Sequence, residues 1–211
     1  MIFSVIIAIA IGYLLGSTPF AYITGRLVKG VDIRQVGGGN MGALNVAREI
    51  GLLPGLTVLI ADIGKGSLAV LIANWLGLPL IWIFIAGFAA VVGHNWPIFL
   101  RFKGGKGAAT SIGVLFALTP GEFAISLAIM VAVIIITSNV RLAIVVGLAF
   151  LPLIIWRLNG SVMLITYSLA LSFFLLIRSL PTTKEAVANV SDKKSLIFDR
   201  DYHFWQTKKS K

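Results

Sequence analysis

The sequence predicts an all-α polytopic membrane protein of seven transmembrane helices, one of them short, with the N-terminus outside and the C-terminus cytoplasmic. Three observations lead there. Of 211 residues, 58% are hydrophobic and only 12% charged, whereas soluble domains are about half apolar and roughly a quarter charged. Mean hydropathy is +0.96. Long stretches carry no Asp, Glu, Lys or Arg, and the basic residues, 18 against 8 acidic for a net charge of +10, crowd between those stretches. Such a composition excludes a soluble globular enzyme and a disordered chain, and the lack of cysteine excludes a secreted disulfide scaffold.

The charge-free runs are 1–25, 66–100, 107–121, 123–140, 142–156 and 158–177. A spanning helix needs about 20 apolar residues, so the run from 66 holds parts of two, divided at Gly77-Leu78-Pro79, where Gly and Pro punctuate a turn. Seven spans follow: 2–23, 50–76, 79–95, 107–118, 122–138, 141–157 and 160–178. The first has no basic segment before its apolar stretch and runs on into Ser17-Thr18-Pro19, so it reads as a retained helix, not a cleaved signal. The fourth is too short to cross about 30 Å at 1.5 Å per residue. It reads as a short helix shielded by its neighbours and opened by the polar stretch before it. Trp75, Trp82, Trp96 and Trp156 fall near span ends, where aromatic anchors gather.

Sixteen of the 18 lysines and arginines fall on one face, in the loops near 24–49, 96–106 and 139–141 and in the C-terminal tail. The positive-inside rule makes that face cytoplasmic. Of the other two, Lys65 lies within the second span and Arg157 at the opposite face. The basic excess is therefore a topology signal, and no nucleic-acid partner is expected. The expected organisation is a seven-helix membrane domain over 1–180, set in the lipid bilayer, and a basic cytoplasmic tail over 181–211.

Two loops on the basic face carry the chemistry. The first runs from Gly30 to Arg48 and contains Gly37, Gly38 and Gly39 followed by Asn40. Consecutive glycines allow positive φ and let backbone N–H groups turn inward around an anion, and a helix beginning near Met41 would add its N-terminal dipole. Arg34 and Arg48 supply fixed charge, Asn40 and Asn45 directional donors. The alternative is a connector rich in turn residues. The second loop reads from His94 through Lys103, Gly104, Gly105, Lys106 and Gly107 to Thr110, two lysines flanking a glycine pair and leading into the short fourth helix. It does not match the Walker pattern. Two Gly-rich basic loops on one face favour a phosphate site over a pair of plain connectors.

Asp62 and Lys65, three apart within a span, share a helix face and pair. Intramembrane ionisable groups face protein interior or a water-filled cavity, so a self-neutralising pair and a substrate role both stand open. His94 is a candidate base, phosphate donor or interfacial residue. Two histidines, no cysteine and scattered carboxylates yield no metal-ligand spacing, and no Gly-x-Ser-x-Gly elbow is present.

These motifs together resemble the bacterial acyl-phosphate:glycerol-3-phosphate acyltransferases. The resemblance covers about residues 10–120. It rests on Gly16-Ser17 with Pro19, on Asp32-Ile33-Arg34, and on the stretch from Gly37 to Asn45 against a family Gly-Ser-Gly-Asn-x-Gly-Ala-Thr-Asn. Asp62 with Lys65-Gly66, His94 with Pro97 and Phe99, and the stretch from Phe102 to Thr110 complete it. The resemblance implies a seven-helix inner-membrane enzyme with an outside N-terminus and an active site facing the cytoplasm. It further implies acyl transfer from acyl phosphate to the 1-hydroxyl of glycerol 3-phosphate, giving lysophosphatidic acid for phospholipid synthesis. Expected substrate-binding residues are Ser17, Arg34, Gly37, Gly38, Gly39, Asn40, Asn45, Lys65, Lys103, Gly104, Gly105, Lys106, Gly107 and Arg141. No catalytic residue is assigned beyond the candidates Asp62 and His94, and neither metal nor organic cofactor is expected.

The chain departs from the family pattern in places. Gly38 stands where Ser is usual and Leu44 where Thr is. Ser138 and Arg141 occupy the opening of the sixth spanning helix as if exchanged, and Arg178-Ser179-Leu180-Pro181-Thr182 lacks the His and Asn usual after the seventh. Those later segments are associated in the family with glycerol 3-phosphate, so a diverged relative with another acceptor or with catalysis lost is the second reading. A phosphate or anion transporter is the third, disfavoured because the spans show no matched pair of broken helices.

Overall fold

The computed structural model describes residues 1–188, with side chains through residue 181, and every regular element in it is helical. The helices are α1 (Ile2–Ser17), α2 (Phe20–Lys29), α3 (Ala43–Glu49), α4 (Leu52–Trp75), α5 (Leu80–Asn95), α6 (Ala108–Leu118), α7 (Pro120–Thr137), α8 (Val140–Leu158) and α9 (Val162–Ala188). Among the described residues six segments are long and apolar enough to cross a membrane: Ile2–Lys29, Leu52–Trp75, Leu80–Leu100, Pro120–Thr137, Val140–Leu158 and Val162–Pro181. The shorter apolar α6 accompanies them. The protein is thus an all-helical, multi-pass membrane protein.

The helices fall into two compact units, Met1–Pro120 and Gly121–Lys211. In the first, small residues set the spacing. Gly12 and Gly16 of α1 lie against the Ala86 and Ala90 carbonyls of α5, while Gly93 of α5 lies against Tyr13 and Ser17 of α1. Gly66 of α4 and Gly113 of α6 face the Thr110 and Ile63 carbonyls across the α4–α6 seam, and Ser67 Oγ donates to the Gly113 carbonyl at 2.8 Å. Between membrane helices, close approach through small residues and interhelical hydrogen bonds replaces the hydrophobic drive that water supplies elsewhere. The 11 residues of α6 reach only about 17 Å at 1.5 Å per residue; α4 covers it, as its length required.

The expected first span, 2–23, is two helices. Proline disfavours helical backbone in the residue before it, and Thr18 takes φ −62°, ψ 116°. The chain restarts as α2, which carries Arg26 and Lys29 in its last turn and stops at Gly30, φ +68°. Ile33, Met41 and Val46 from the following loop and α3 bury against Ala21 of α2 and Val58 of α4, with Phe20, Tyr22, Val36 and Leu100 around them. This small core pins a polar loop onto the helices. The helix expected near Met41 begins at Ala43.

In the second unit α8 packs along α9. Ser126 Oγ of α7 donates to the Gly147 carbonyl of α8 at 2.8 Å, and Asn139 caps α8 by accepting from the Leu142 N–H at 3.1 Å. Helix α9 continues to Ala188; the rest of the expected tail, 189–211, lies outside the described residues.

Candidate functional site

The break after α1 leaves the Thr18 carbonyl facing α4, and Lys65 Nζ donates to it at 3.1 Å. The same ammonium lies 2.7 Å from Asp62 Oδ1, one turn away on α4, and 5.6 Å from the Phe20 ring centroid. From α5, His94 Nδ1 comes within 3.6 Å of the same carboxylate oxygen. All three side chains are buried. A buried charge is tolerated only when paired, so this cluster ties α1, α4 and α5 together at one level. Gly16, Ser17, Thr18, Pro19, Met41 and Pro97 join it around a cavity of about 10 Å³, the room of one water. Ser17 Oγ, both polar atoms of the Asn95 side chain, Thr110 Oγ1 and Ser111 Oγ are buried without a protein partner.

The chain then doubles back on itself. The N–H groups of Gly104 and Gly105 donate to the carbonyls of Asn95 and His94 at 3.2 and 3.1 Å, and Phe102 N–H to the Pro97 carbonyl at 3.0 Å. His94 also crowds Gly105 so closely that no Cβ fits there. Arg101 and Phe102 both adopt left-handed backbone, φ 53° and 60°, at a cost of about 1–2 kcal/mol each for residues with a Cβ. The hairpin so formed faces the first loop across a groove of about 440 Å³ lined by Asp32, Arg34, Gln35, Phe99, Leu100, Arg101 and Lys103.

Within the groove Asp32 holds Arg34 by a fork, Nε to Oδ1 at 3.0 Å and Nη2 to Oδ2 at 2.7 Å, while accepting from the Arg34 N–H at 3.0 Å. The Arg34 guanidinium beside it holds the Asp32 carboxyl below the usual carboxylate range. The Arg34 guanidinium carbon also lies 5.2 Å from the Tyr22 ring centroid, and that of Arg26 lies 5.3 Å from the same ring. One acid against three cations leaves the groove positive, which suits a phosphate with an apolar wall of Phe99 and Leu100 beside it.

The structure brings six of the residues singled out in the sequence to these two places, and gives others different jobs. Ser17, Asp62, Lys65 and His94 line the small cavity; Arg34 and Lys103 line the groove. The glycines bend the chain as expected, Gly37, Gly39 and Gly107 at φ 58°, 63° and 84°, but the amides of Gly38, Gly39, Gly104 and Gly105 are spent on other groups of the chain. Gly38 N–H donates to Asn45 Oδ1 at 3.1 Å and Gly39 N–H to the Val36 carbonyl at 3.1 Å, as the amides of Gly104 and Gly105 do to α5. Asn45 Nδ2 donates to the Ile33 and Val36 carbonyls, each at 3.2 Å. Folded loops must satisfy their own donors, so Asn45 braces the first loop and cationic side chains are left to face an anion. Asn40 is half-buried beside Gly42, and Lys106 is half-buried between Gly105 and Gly107. Arg141 is exposed in the first turn of α8, in the second unit. Tyr22 and Arg101 were not singled out. The signal for Tyr22 was its spacing from Arg26, four apart on a helix, and that for Arg101 its place in the basic 96–106 loop.

The family model described as glycerol-3-phosphate acyltransferase matches residues 6–189. The chain is similar to glycerol-3-phosphate acyltransferase 2 of Dehalococcoides mccartyi, 42% identical over 183 residues and 86% of each chain. It is likewise similar to the glycerol-3-phosphate acyltransferase of Parasynechococcus marenigrum, 40% identical over 193 residues, 92% of this chain and 91% of that one. Among solved structures it resembles the integral membrane glycerol 3-phosphate acyltransferase PlsY. The glycerol 3-phosphate form superposes with TM-score 0.80 at 32% identity, over 88% of this chain and 92% of that one. The lysophosphatidic acid form gives TM-score 0.78 at 31% identity over the same shares.

Proposed function

Because the chain belongs to the glycerol-3-phosphate acyltransferase family, we propose that it transfers an acyl group from acyl phosphate to the 1-hydroxyl of glycerol 3-phosphate. The product is lysophosphatidic acid, made for phospholipid synthesis at the cytoplasmic face of a bacterial inner membrane. The observation that carries this reading is the positive groove of Arg34, Arg101 and Lys103 with Phe99 and Leu100 beside it, in a multi-pass membrane protein. It offers charge for phosphate and an apolar wall for the start of an acyl chain.

The chemistry asks little of the protein beyond placement. The acceptor hydroxyl oxygen attacks the acyl carbonyl, the bond between carbonyl carbon and phosphate oxygen breaks, and the hydroxyl proton ends on the departing phosphate. Acyl phosphate is already activated, so holding the two substrates in line supplies much of the acceleration. Cations facing the leaving phosphate stabilise the charge it gathers. Asp62 and His94, candidates for a base, are buried in contact with each other, and Asp62 with Lys65 as well; they serve this reaction as the brace that holds the end of α1 and the 94–105 hairpin, not as proton acceptors. On the acceptor side, Arg141 offers a guanidinium able to hold a phosphate bidentately, in place of the His and Asn absent after Arg178.

Steady-state kinetics with both substrates tests these assignments. Lys103→Ala and Lys106→Ala are each expected to weaken use of acyl phosphate by roughly ten- to a hundred-fold, the worth of a charge-assisted hydrogen bond. Arg141→Gln is expected to raise KM for glycerol 3-phosphate far more than KM for acyl phosphate. Near-wild-type kinetics in both lysine variants would remove the two loop lysines from the reaction, and equal changes for both substrates in Arg141→Gln would remove its acceptor role.

A further inference from the structure

We infer that Arg101 is a phosphate-contacting residue of the groove, held in left-handed backbone so that its guanidinium lies beside Arg34 and Lys103. The inference rests on the acyltransferase reading and deepens it by adding a binding residue.

Three observations carry it. First, Arg101 lines the groove of about 440 Å³ together with Arg34 and Lys103, so its placement matches that of the two cations already expected to meet substrate. Second, its backbone is unusual. Arg101 at φ 53° is followed by Phe102 at φ 60°, two non-glycine residues in succession where glycine or asparagine would sit with less strain. Strained backbone persists where the surroundings over-determine it, and it gathers at functional sites. Here the surroundings are visible: Phe102 N–H to the Pro97 carbonyl, Lys103 N–H to the Leu100 carbonyl and Gly104 N–H to the Asn95 carbonyl close the hairpin on either side of Arg101. Third, the neighbouring Arg34 is partly committed, two of its nitrogens being spent on Asp32. A phosphate dianion in the groove therefore needs more charge than Arg34 offers, and among the described residues no carboxylate pairs with Arg101 or Lys103.

The ligand chemistry is a phosphate monoester, which both substrates carry. The αL position also makes the test clean, because asparagine and glycine suit that backbone while removing the charge. Arg101→Asn and Arg101→Gly should fold at least as well as the parent, with melting temperature in detergent unchanged or raised. Both should raise KM for a phosphate substrate roughly ten-fold, as loss of a charge-assisted hydrogen bond does, and Arg101→Lys should restore much of it. A rise confined to acyl phosphate assigns the contact to the donor; a rise confined to glycerol 3-phosphate assigns it to the acceptor. Unchanged KM for both substrates, or a loss of kcat with a lowered melting temperature in all three variants, overturns the inference. Direct binding of inorganic phosphate to wild type and Arg101→Asn separates this failure from failure of the acyltransferase reading. If wild type makes no lysophosphatidic acid, that reading fails. Weaker phosphate binding in Arg101→Asn then still upholds the contact, and equal binding overturns it.

Discussion

Arg34 is aimed by its neighbours before any substrate arrives. Asp32 grips two of its nitrogens, and the Tyr22 ring supports the guanidinium from 5.2 Å, an interaction of about 0.5–1 kcal/mol at an exposed site. On the proposed reading of Arg34, Tyr22 acts through it as a positioning residue. Tyr22→Leu is expected to raise KM for the phosphate substrate that Arg34 meets by about two- to five-fold, leaving kcat and melting temperature near the parent. Tyr22→Phe, which keeps the ring and loses only the contact of its hydroxyl with Arg26 Nε at 3.2 Å, should behave as wild type. Equal KM changes in the two variants would assign the effect to the hydroxyl and dismiss the ring. The residue scale is also where the sequence was least complete. Asp62 with Lys65 is legible from their spacing alone, but His94 joins them from 29 positions away across two helices, a meeting that only the packing of α4 on α5 creates. The same holds for the loop amides: glycine content announces a bent backbone, yet whether each N–H faces inward or outward depends on the carbonyls the fold presents.

Helices in the first unit meet through glycines, and the contacts differ enough to be told apart. An added Cβ at Gly16 or Gly113 would run into the backbone carbonyl of Ala90 or Ile63, whereas nothing lies within 4 Å of one at Gly64. Gly16→Ala and Gly113→Ala should each destabilise by about 1–3 kcal/mol, as overpacking does. Gly64→Ala, in the interior of α4, should be neutral or stabilising by up to about 1 kcal/mol. Thermal unfolding in detergent checks all three, and equal shifts would mean that glycine spacing is not what sets the helix contacts. Most element boundaries were readable, because charge-free runs and Gly-Pro turns mark where chain leaves the bilayer. The division of the first span at Thr18-Pro19 was written in the sequence as well, but a proline within a charge-free run reads equally as part of a continuous helix. What decides is that α2 carries Arg26 and Lys29 on its exposed side and buries Ala21 and Gly25, so it belongs with the loop it supports.

At the scale of the whole molecule, the distribution of charge predicts how the chain sits in a membrane. Arg34, Arg101 and Lys103 lie on segments between spans and Lys29 ends the first span, so the positive-inside rule predicts that this face is cytoplasmic. The chain has no cysteine, so single-cysteine variants report position without background. Position 29 should be shielded from an impermeant thiol reagent in intact cells and position 2 reached by it; the opposite pattern would invert the orientation. On the proposed reading the groove faces the cytoplasm, where a water-soluble acceptor would meet a donor whose acyl chain lies among the helices, and the central claim is that this donor is acyl phosphate. The most direct test incubates purified protein in detergent with acyl phosphate and glycerol 3-phosphate, and follows phosphate and lysophosphatidic acid together. The two products should appear one for one, only when both substrates are present, and an acyl thioester should not replace the donor. Phosphate release that ignores glycerol 3-phosphate, or equal product from the thioester, would contradict it.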